Sequence, residues 1–371
     1  MLFLVTIILL FAAYALLILY YWSAWKTIPD YSVAPFSAST RISVIIPARN
    51  EEAHLGHLLG ALSRQTYPEE FFEVIVVDDH STDGTAAIAQ QFSFVKLIRL
   101  TDDNSNAYKK KAIEKGLEAA TGEWIITTDA DCIPPTGWLS TMAAFIREKQ
   151  PVFIAAPVAF THDQSLLQQF QSIDFLVLQG ITGASVHKKF HSMCNGANLA
   201  YQKKVFYEVG GFTGIDHIAS GDDMLLMHKI AQKYPQQIHY LKAREAIVST
   251  LPMPTWKEFF NQRIRWASKA KNYDDIRIIA VLLLVYLFNL SFLALLVAGF
   301  WCYHYWLYFA GLWIAKTLIE WPFVSAVAGF FNKTPLMKFF FIFQPMHIVY
   351  TVFSGLLSQF GRYEWKGRKV K

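Results

Sequence analysis

The sequence predicts an α/β domain carried between membrane-spanning segments, on three observations. Short apolar, β-branched runs alternate with helix-period segments from Ile42 to Thr128. Residues Met1 to Trp25 hold no charged side chain, the first being Lys26. From Ile278 onward Leu, Val, Phe, Trp and Tyr dominate again. The chain thus divides into an N-terminal spanning helix (1–25), a globular domain (26–253), an amphipathic segment (254–275) and a C-terminal membrane region (276–371). Of the 371 residues 53% are hydrophobic and 17% charged, apolar for a soluble protein because the polarity is confined to the middle.

The elements of the globular part follow in order. Ile42 to Pro47 reads as a buried strand stopped by Pro47, and Glu52 to Arg64 as a helix with Leu55, Leu58, Leu59 and Leu62 on one face. Val74 to Val77 is a second strand, ending in Asp78-Asp79-His80-Ser81; Asp83 to Gln91 is a short helix and Val95 to Leu100 a third strand. A helix over Lys109 to Ala120 and a strand over Trp124 to Thr128 complete the alternation, which implies right-handed crossovers and a largely parallel sheet. Beyond Pro151 the pattern is less regular. It offers a helix over Ser165 to Gly180, three Gly-bounded segments (Asn195 to Asn198, Gly210 to Phe212, Gly221 to Asp223), and a basic, aromatic helix over Thr255 to Ala270 suited to a membrane surface or to ordinary amphipathic packing.

Charge and cysteine content narrow the function. The net charge of +5 comes without basic residues interleaved with aromatics on one face, so nucleic-acid binding has little support. Cys132, Cys194 and Cys302 are far apart and form neither a zinc site nor a disulfide framework. Met1 to Trp22 lacks a basic n-region and a small-residue cleavage site, and reads as a retained helix. With Lys26, Arg41 and Arg49 after it and no charge before it, the following domain is expected in the cytoplasm. Ile278 to Phe300 then crosses outward and Trp306 to Phe331 returns, with Lys316 and Glu320 paired on a protein-facing side. Phe339 to Phe360 is long enough to span. Spanning would place Arg362, Lys366, Arg368, Lys369 and Lys371 outside, so this segment, with Gln344, Pro345 and His347, is expected to be re-entrant or interfacial.

In open α/β sheets ligands bind beyond the carboxyl ends of the strands, and two strands end there in acidic clusters. Asp129-Ala130-Asp131 is a D-x-D able to hold Mg²⁺ or Mn²⁺ through oxygen, although most such triplets are surface turns. Asp78-Asp79, with Ser81 and Asp83, reads as cleft carboxylates or as a helix cap. Asp222-Asp223 precedes an apolar helical run and reads equally as a cap or as a general base for an acceptor hydroxyl. Gln262-Arg263-Ile264-Arg265-Trp266 offers a guanidinium for diphosphate and an indole for a sugar, or a snorkelling basic helix.

Taken in order, the segments from Arg41 to Trp266 resemble the membrane-bound family 2 glycosyltransferases, the branch of cellulose, chitin and hyaluronan synthases and ceramide glucosyltransferases. The likeness rests on Pro47-Ala48-Arg49-Asn50-Glu51, Val76 to Thr85, the helix from Lys109, Thr128 to Asp131, Asn195 to Leu199, Gly210-Gly211-Phe212, Gly221-Asp222-Asp223, and Q-x-x-R-W at Gln262, Arg265 and Trp266. The resemblance implies a GT-A, Rossmann-like fold and inversion at the anomeric centre. It implies that Pro47, Glu51, Asp78 and Asp79 bind the donor nucleoside, usually uridine, with Lys109 nearby, and that Arg49 is a further donor-binding residue. Asp129 and Asp131 would hold the diphosphate through a divalent metal, Asp223 would be the base, and Gln262, Arg265 and Trp266 would close the donor site. Asn198, Asp222 and Trp266 would meet the acceptor. Asp222 stands where the family usually has Glu, one methylene longer, and the membrane region is short for a polysaccharide channel. The expected activity is transfer from a nucleotide-sugar, UDP-linked, to a lipid or lipid-linked acceptor at the cytoplasmic face. A processive polysaccharide synthase is the alternative within the family, and a non-catalytic membrane nucleotide sensor the alternative outside it.

Overall fold

The structure is a computed structural model. It describes residues 1–101, 108–161, 163–218, 221–273, 275–359, 363–365 and 368–370, with the last two stretches and residues 108, 271 and 272 described as backbone only. Of the expected basic tail, Arg362, Lys366 and Lys371 lie outside the described residues.

In chain order the elements are α1 (Leu2–Thr27), β1 (Ile42–Ala48), α2 (Leu55–Leu62), β2 (Phe72–Asp78), α3 (Thr85–Gln90), β3 (Val95–Arg99), α4 (Tyr108–Ala119) and β4 (Trp124–Thr127). They continue with α5 (Trp138–Lys149), β5 (Phe153–Ala155), β6 (Val158–Phe160), α6 (Leu166–His187), β7 (Leu199–Gln202), α7 (Lys203–Glu208), α8 (Met224–Lys233), β8 (Ile238–Tyr240) and β9 (Val248–Thr250). Last come α9 (Trp256–Ser268), α10 (Ile276–Ala298), α11 (His304–Phe330), α12 (Phe340–Leu357) and two short paired strands, β10 (Tyr363–Trp365) and β11 (Arg368–Val370).

Two compact units share the chain: one holds Met1–Ile28, His162–His191 and Pro252–Tyr363, the other Pro29–Thr161, Ser192–Leu251 and Glu364–Lys371. The second unit is built on a seven-stranded sheet in the order β3-β2-β1-β4-β7-β5-β8. Its first four strands are mutually parallel, and β7 runs against both β4 and β5. Val44, Ile45 and Ile46 of β1 and Val74 to Val77 of β2 are wholly buried, which is why these strands read as unbroken apolar runs. The order carries one fact about the site. From β1 the chain steps outward to β2 and β3, then returns to lay β4 on the other side of β1. That makes the carboxyl ends of β1 and β4 a topological switch point, where such sheets open a binding crevice.

The first unit is helical. Among the described residues three helical segments are long and apolar enough to cross a membrane: Leu2–Thr27, Ile276–Ala298 and Thr334–Leu357. Helix α11 carries the expected Lys316–Glu320 pair, Nζ to Oε1 2.7 Å, with both side chains buried. Helix α6 belongs to this unit and runs two turns beyond the expected end at Gly180. Gly180 does not stop it, because it makes room for α11: a Cβ there would lie 2.5 Å from Val327 Cγ2. The start of α6 is set by a capping box, Ser165 Oγ accepting from Gln168 N while Gln168 Oε1 accepts from Ser165 N. Helix α9 is bound into the same unit through Arg263, whose guanidinium donates to Asp174 Oδ2 at 2.7 and 3.1 Å. Tyr350 OH donates to the other oxygen of Asp174.

Candidate active site

The carboxyl ends of β1 and β2 are level, since Pro47 pairs with Val77 and Ala48 with Asp78. The loops leaving them are stitched together. Arg49 Nη1 donates to the carbonyls of Asp79 (2.7 Å) and His80 (3.1 Å). Asn50 N donates to Ser81 Oγ, and Asn50 Oδ1 accepts from Thr82 N. Both loops turn through a left-handed residue, Asn50 (φ 51°) and His80 (φ 54°), residue types that adopt this conformation more readily than most. Asp78 and Asp79 are buried beneath this turn, Asp78 Oδ1 accepting from Ser81 N (3.1 Å) and Asp79 Oδ1 contacting His80 Nδ1 (2.9 Å). Glu51 is buried beside them and its backbone N–H is held by Thr85 Oγ1. The helix-start role falls to Asp83, whose Oδ1 accepts from Thr85 N at 3.0 Å, so Asp78 and Asp79 are not caps of α3.

Across the switch point β4 delivers the D-x-D. Asp129 is partly exposed and Asp131 half-buried, with Thr250 Oγ1 donating to Asp131 Oδ2 at 3.2 Å from the end of β9. Thr250 was not foreseen; β9 reaches this place through a bridge between Ile133 and Ser249 that no local pattern signals. Lys109, on the first turn of α4, joins the parts: its Nζ lies 2.7 Å from Asp129 Oδ1 and 3.1 Å from Asp222 Oδ2. Burial alone would lower its pKa, but Asp129 and Asp222 outweigh this and hold the ammonium well above the ordinary lysine value. The neighbouring Lys110 is buried and tethers the loop between α7 and α8 through the carbonyls of Ile215 (2.9 Å) and Ile218 (2.5 Å).

Asp223 caps α8, its Oδ1 accepting from Met224 N at 2.8 Å, while Oδ2 accepts from Gly196 N at 3.0 Å. Capping and a place in the site are therefore not exclusive. Gly196 sits where no side chain fits comfortably: a Cβ would lie 3.1 Å from Lys109 Nζ and 3.3 Å from Asp222 Oδ2. Lys109 thus joins Asp129 to Asp222, and the next residue, Asp223, is joined to Gly196. Among the described residues no cluster of three or more His, Cys, Asp or Glu offers a complete metal cage. Two oxygen-donor carboxylates nonetheless fit a hard divalent ion that takes its remaining ligands from a diphosphate and water.

Asn198 is a correction. An acceptor contact was expected, but the side chain is wholly buried, accepting from Trp138 Nε1 (3.0 Å) and donating to the carbonyls of Pro157 and Ala246 (both 2.8 Å). Its amide is enclosed by the protein, tying α5 to the strands behind the site. Replacing it with Ala leaves three buried groups unsatisfied, and Asn198→Ala should lower unfolding stability by about 2–3 kcal/mol. A thermal melt unchanged from wild type would contradict this.

Gln262, Arg265 and Trp266 stand on α9 in the helical unit, all half-buried. Gln262 Oε1 accepts from Arg263 Nη1 at 2.8 Å, and the Arg263 guanidinium stacks on Trp266 with Cζ 4.2 Å from the ring centroid. Arg263, absent from the expected site, is thus the residue that orients two of the three. Its signal was only its place inside the motif.

Residues 43–210 match the family model described as glycosyl transferase family 2. The match ends before Asp222, Asp223 and α9. The chain is 27% identical over 247 residues to the probable glycosyltransferase YdaM of Bacillus subtilis, covering 65% of this chain and 57% of that one. It is 30% identical over 188 residues to glycosyltransferase AglE of Haloferax volcanii, covering 49% and 59%. The chain therefore spans less than two thirds of the length of these relatives. In fold it is similar to the mannosyltransferase PcManGT of Pyrobaculum calidifontis, solved with GDP-Man and Mn²⁺, with a TM-score of 0.54, 20% identity, and coverage of 95% of this chain and 98% of that one. Residues 43–210 thus match a glycosyl transferase family 2 domain, within a larger GT-A-like α/β fold.

Proposed function

We propose that the protein is an inverting glycosyltransferase that moves a sugar from a UDP-sugar, with a divalent metal, to a lipid or lipid-linked acceptor at the cytoplasmic face of a membrane. The observation that carries the reading is Lys109, which bridges Asp129 of the D-x-D to Asp222 of the second acidic pair. A donor diphosphate and an acceptor hydroxyl need these two carboxylate groups at one centre. In this reading Pro47, Arg49, Glu51, Asp78 and Asp79 receive the nucleoside, and Lys109, Asp129 and Asp131 the diphosphate. Asp129 and Asp131 would hold a divalent ion, which when bound would supply Lewis-acid stabilisation of the leaving group. The acceptor oxygen bonds to the anomeric carbon from the face opposite the diphosphate. The carbon–oxygen bond to the diphosphate breaks with its electron pair leaving on UDP, and the acceptor proton passes to Asp223. Gln262, Arg265 and Trp266 are assigned to donor binding in the same reading.

A lipid acceptor is favoured because the chain passes repeatedly between the catalytic unit and the helical one, as near Ile28, Thr161, His191 and Leu251. Repeated covalent links to apolar helices of spanning length suit an acceptor that is itself held in a membrane. The positive charge following α1 favours the cytoplasmic side, and a re-entrant or interfacial last segment keeps the basic tail there. The test is a donor panel of UDP- and GDP-sugars offered to the full chain in nanodiscs made from membrane lipid extract. The expected result is nucleotide release matched one-to-one by sugar entering the organic phase as a single addition. A product ladder would indicate a processive synthase. No release with any donor would overturn the reading.

A further inference from the structure

Within the helical unit a cavity opens between α1, α6, α11 and α12. Ile18, Ile173, Val177, Phe323, Phe340 and Phe343 form its apolar walls, while Tyr14, Asp174, Glu320, Gln344 and His347 bring polar atoms to it. Polar groups among helices of this apolarity carry a cost unless matched, so their partners say what the cavity can take. Glu320 is matched throughout: Oε1 accepts from Tyr14 OH and Lys316, and Oε2 from Gln344 Nε2 (2.5 Å). Gln344 Oε1 accepts from Lys316 Nζ (2.5 Å). Asp174 is matched by Arg263 on one oxygen and Tyr350 on the other. Both carboxylates are therefore neutralised by a buried cation, and both cations are committed. An anionic headgroup would find no unengaged positive charge here, and a cation no unengaged carboxylate.

One group is left over. Nδ1 of His347 is buried without a hydrogen-bond partner. A neutral imidazole nitrogen in apolar surroundings can be satisfied by a single uncharged hydroxyl, whichever tautomer it adopts. In a unit of membrane-spanning helices the molecules at hand with an apolar body and one such group are neutral lipids. We propose that this cavity receives the hydroxyl end of an uncharged lipid alcohol, hydrogen-bonded to His347 Nδ1 and seated against Phe343 and Phe323. The site is independent of the transferase reading, since it asks for binding and not for transfer.

The test is photolabelling of the full chain in nanodiscs with a long-chain alcohol bearing a diazirine, against the same chain ending in a phosphate monoester. The alcohol is expected to label the segments carrying Phe323 and Phe343, and unlabelled alcohol to compete. His347→Phe, which keeps the ring and removes the nitrogens, should weaken labelling about tenfold, the worth of one neutral hydrogen bond. His347→Gln, which restores a donor and acceptor, should recover most of it, and Ile173→Trp should block the cavity from the opposite wall. Size-exclusion profiles show which variants remain folded. Labelling indifferent to all three substitutions would mean ordinary contact with bilayer lipid, or a cavity that holds only water. Equal labelling by the phosphate probe would mean an anion site. Either result overturns the proposal, whether or not the protein transfers sugar.

Discussion

Asp131→Asn should lower sugar transfer by roughly three orders of magnitude, with the protein still folded and membrane-inserted. The leaving diphosphate must be neutralised as its bond to the sugar breaks, and a metal clamp on it supplies several kcal/mol of transition-state stabilisation. Asparagine has nearly the shape of aspartate and can still accept the hydrogen bond that Thr250 Oγ1 makes to Asp131 Oδ2. What it loses is the charge. The choice of Asp131 over Asp129 matters, because Lys109 is ion-paired to Asp129 at 2.7 Å and would be released by a change there. Removing the charge at 131 leaves that pair in place, so the loss reports on the diphosphate and its ion. Nucleotide release measured across a Mn²⁺ and Mg²⁺ titration, with chelator as the zero point, checks it. Near-wild-type turnover of Asp131→Asn, or full wild-type activity in excess chelator, would remove the metal role from this pair.

Strands β1, β2 and β4 were legible in the sequence because they are largely buried on both faces and so read as apolar runs. The half of the sheet from β7 to β8 was not. Strands β5 and β8 are three residues long and β7 four, too short for any periodicity to register. Helix α5 does show helical apolar spacing at Trp138, Leu139, Met142 and Phe145, all buried, but it follows the Pro134-Pro135 pair in a stretch that otherwise reads as loop. Reading α6 as ending at Gly180 applied the right propensity to the wrong case. A glycine weakens an isolated helix, yet here it permits the close crossing with Phe323 and Val327. That this helix belongs with the apolar segments and not with the sheet depends on contacts more than a hundred residues distant. No local window contains them.

The site divides in the same way. Its carboxylates were visible because acids at strand ends cannot be core residues without partners. The partners were invisible. Nothing local says that Lys109 reaches both Asp129 and Asp222, or that Thr250 meets Asp131. Asn198 shows the converse failure. A polar residue in a Gly-bounded segment looks available, but Trp138, sixty residues earlier, supplies an indole N–H that draws its amide into the core.

Asp223 poses the sharpest question, because one carboxylate is asked to cap a helix and to take a proton. Both of its oxygens accept backbone N–H groups, from Met224 at 2.8 Å and Gly196 at 3.0 Å. Those bonds fix the carboxylate in place. Asp223→Asn alone cannot separate the roles, since its amide NH₂ would face one of those backbone donors and disturb the cap. Asp223→Ser can. Serine is among the best N-cap residues and keeps the helix start, but its hydroxyl does not take a proton near neutral pH. If Asp223 is the base, both variants should lose transfer by about 10²–10⁴-fold, the range of general-base contributions, while donor binding and thermal stability of the Ser variant stay near wild type. Asp222→Asn is the internal control. Asp222 is the other acid within reach and is already neutralised by Lys109 at 3.1 Å, so its removal should alter donor and acceptor affinity more than turnover. Recovery of transfer in Asp223→Ser, together with collapse of turnover in Asp222→Asn, would make Asp223 a cap only and move the base one residue back.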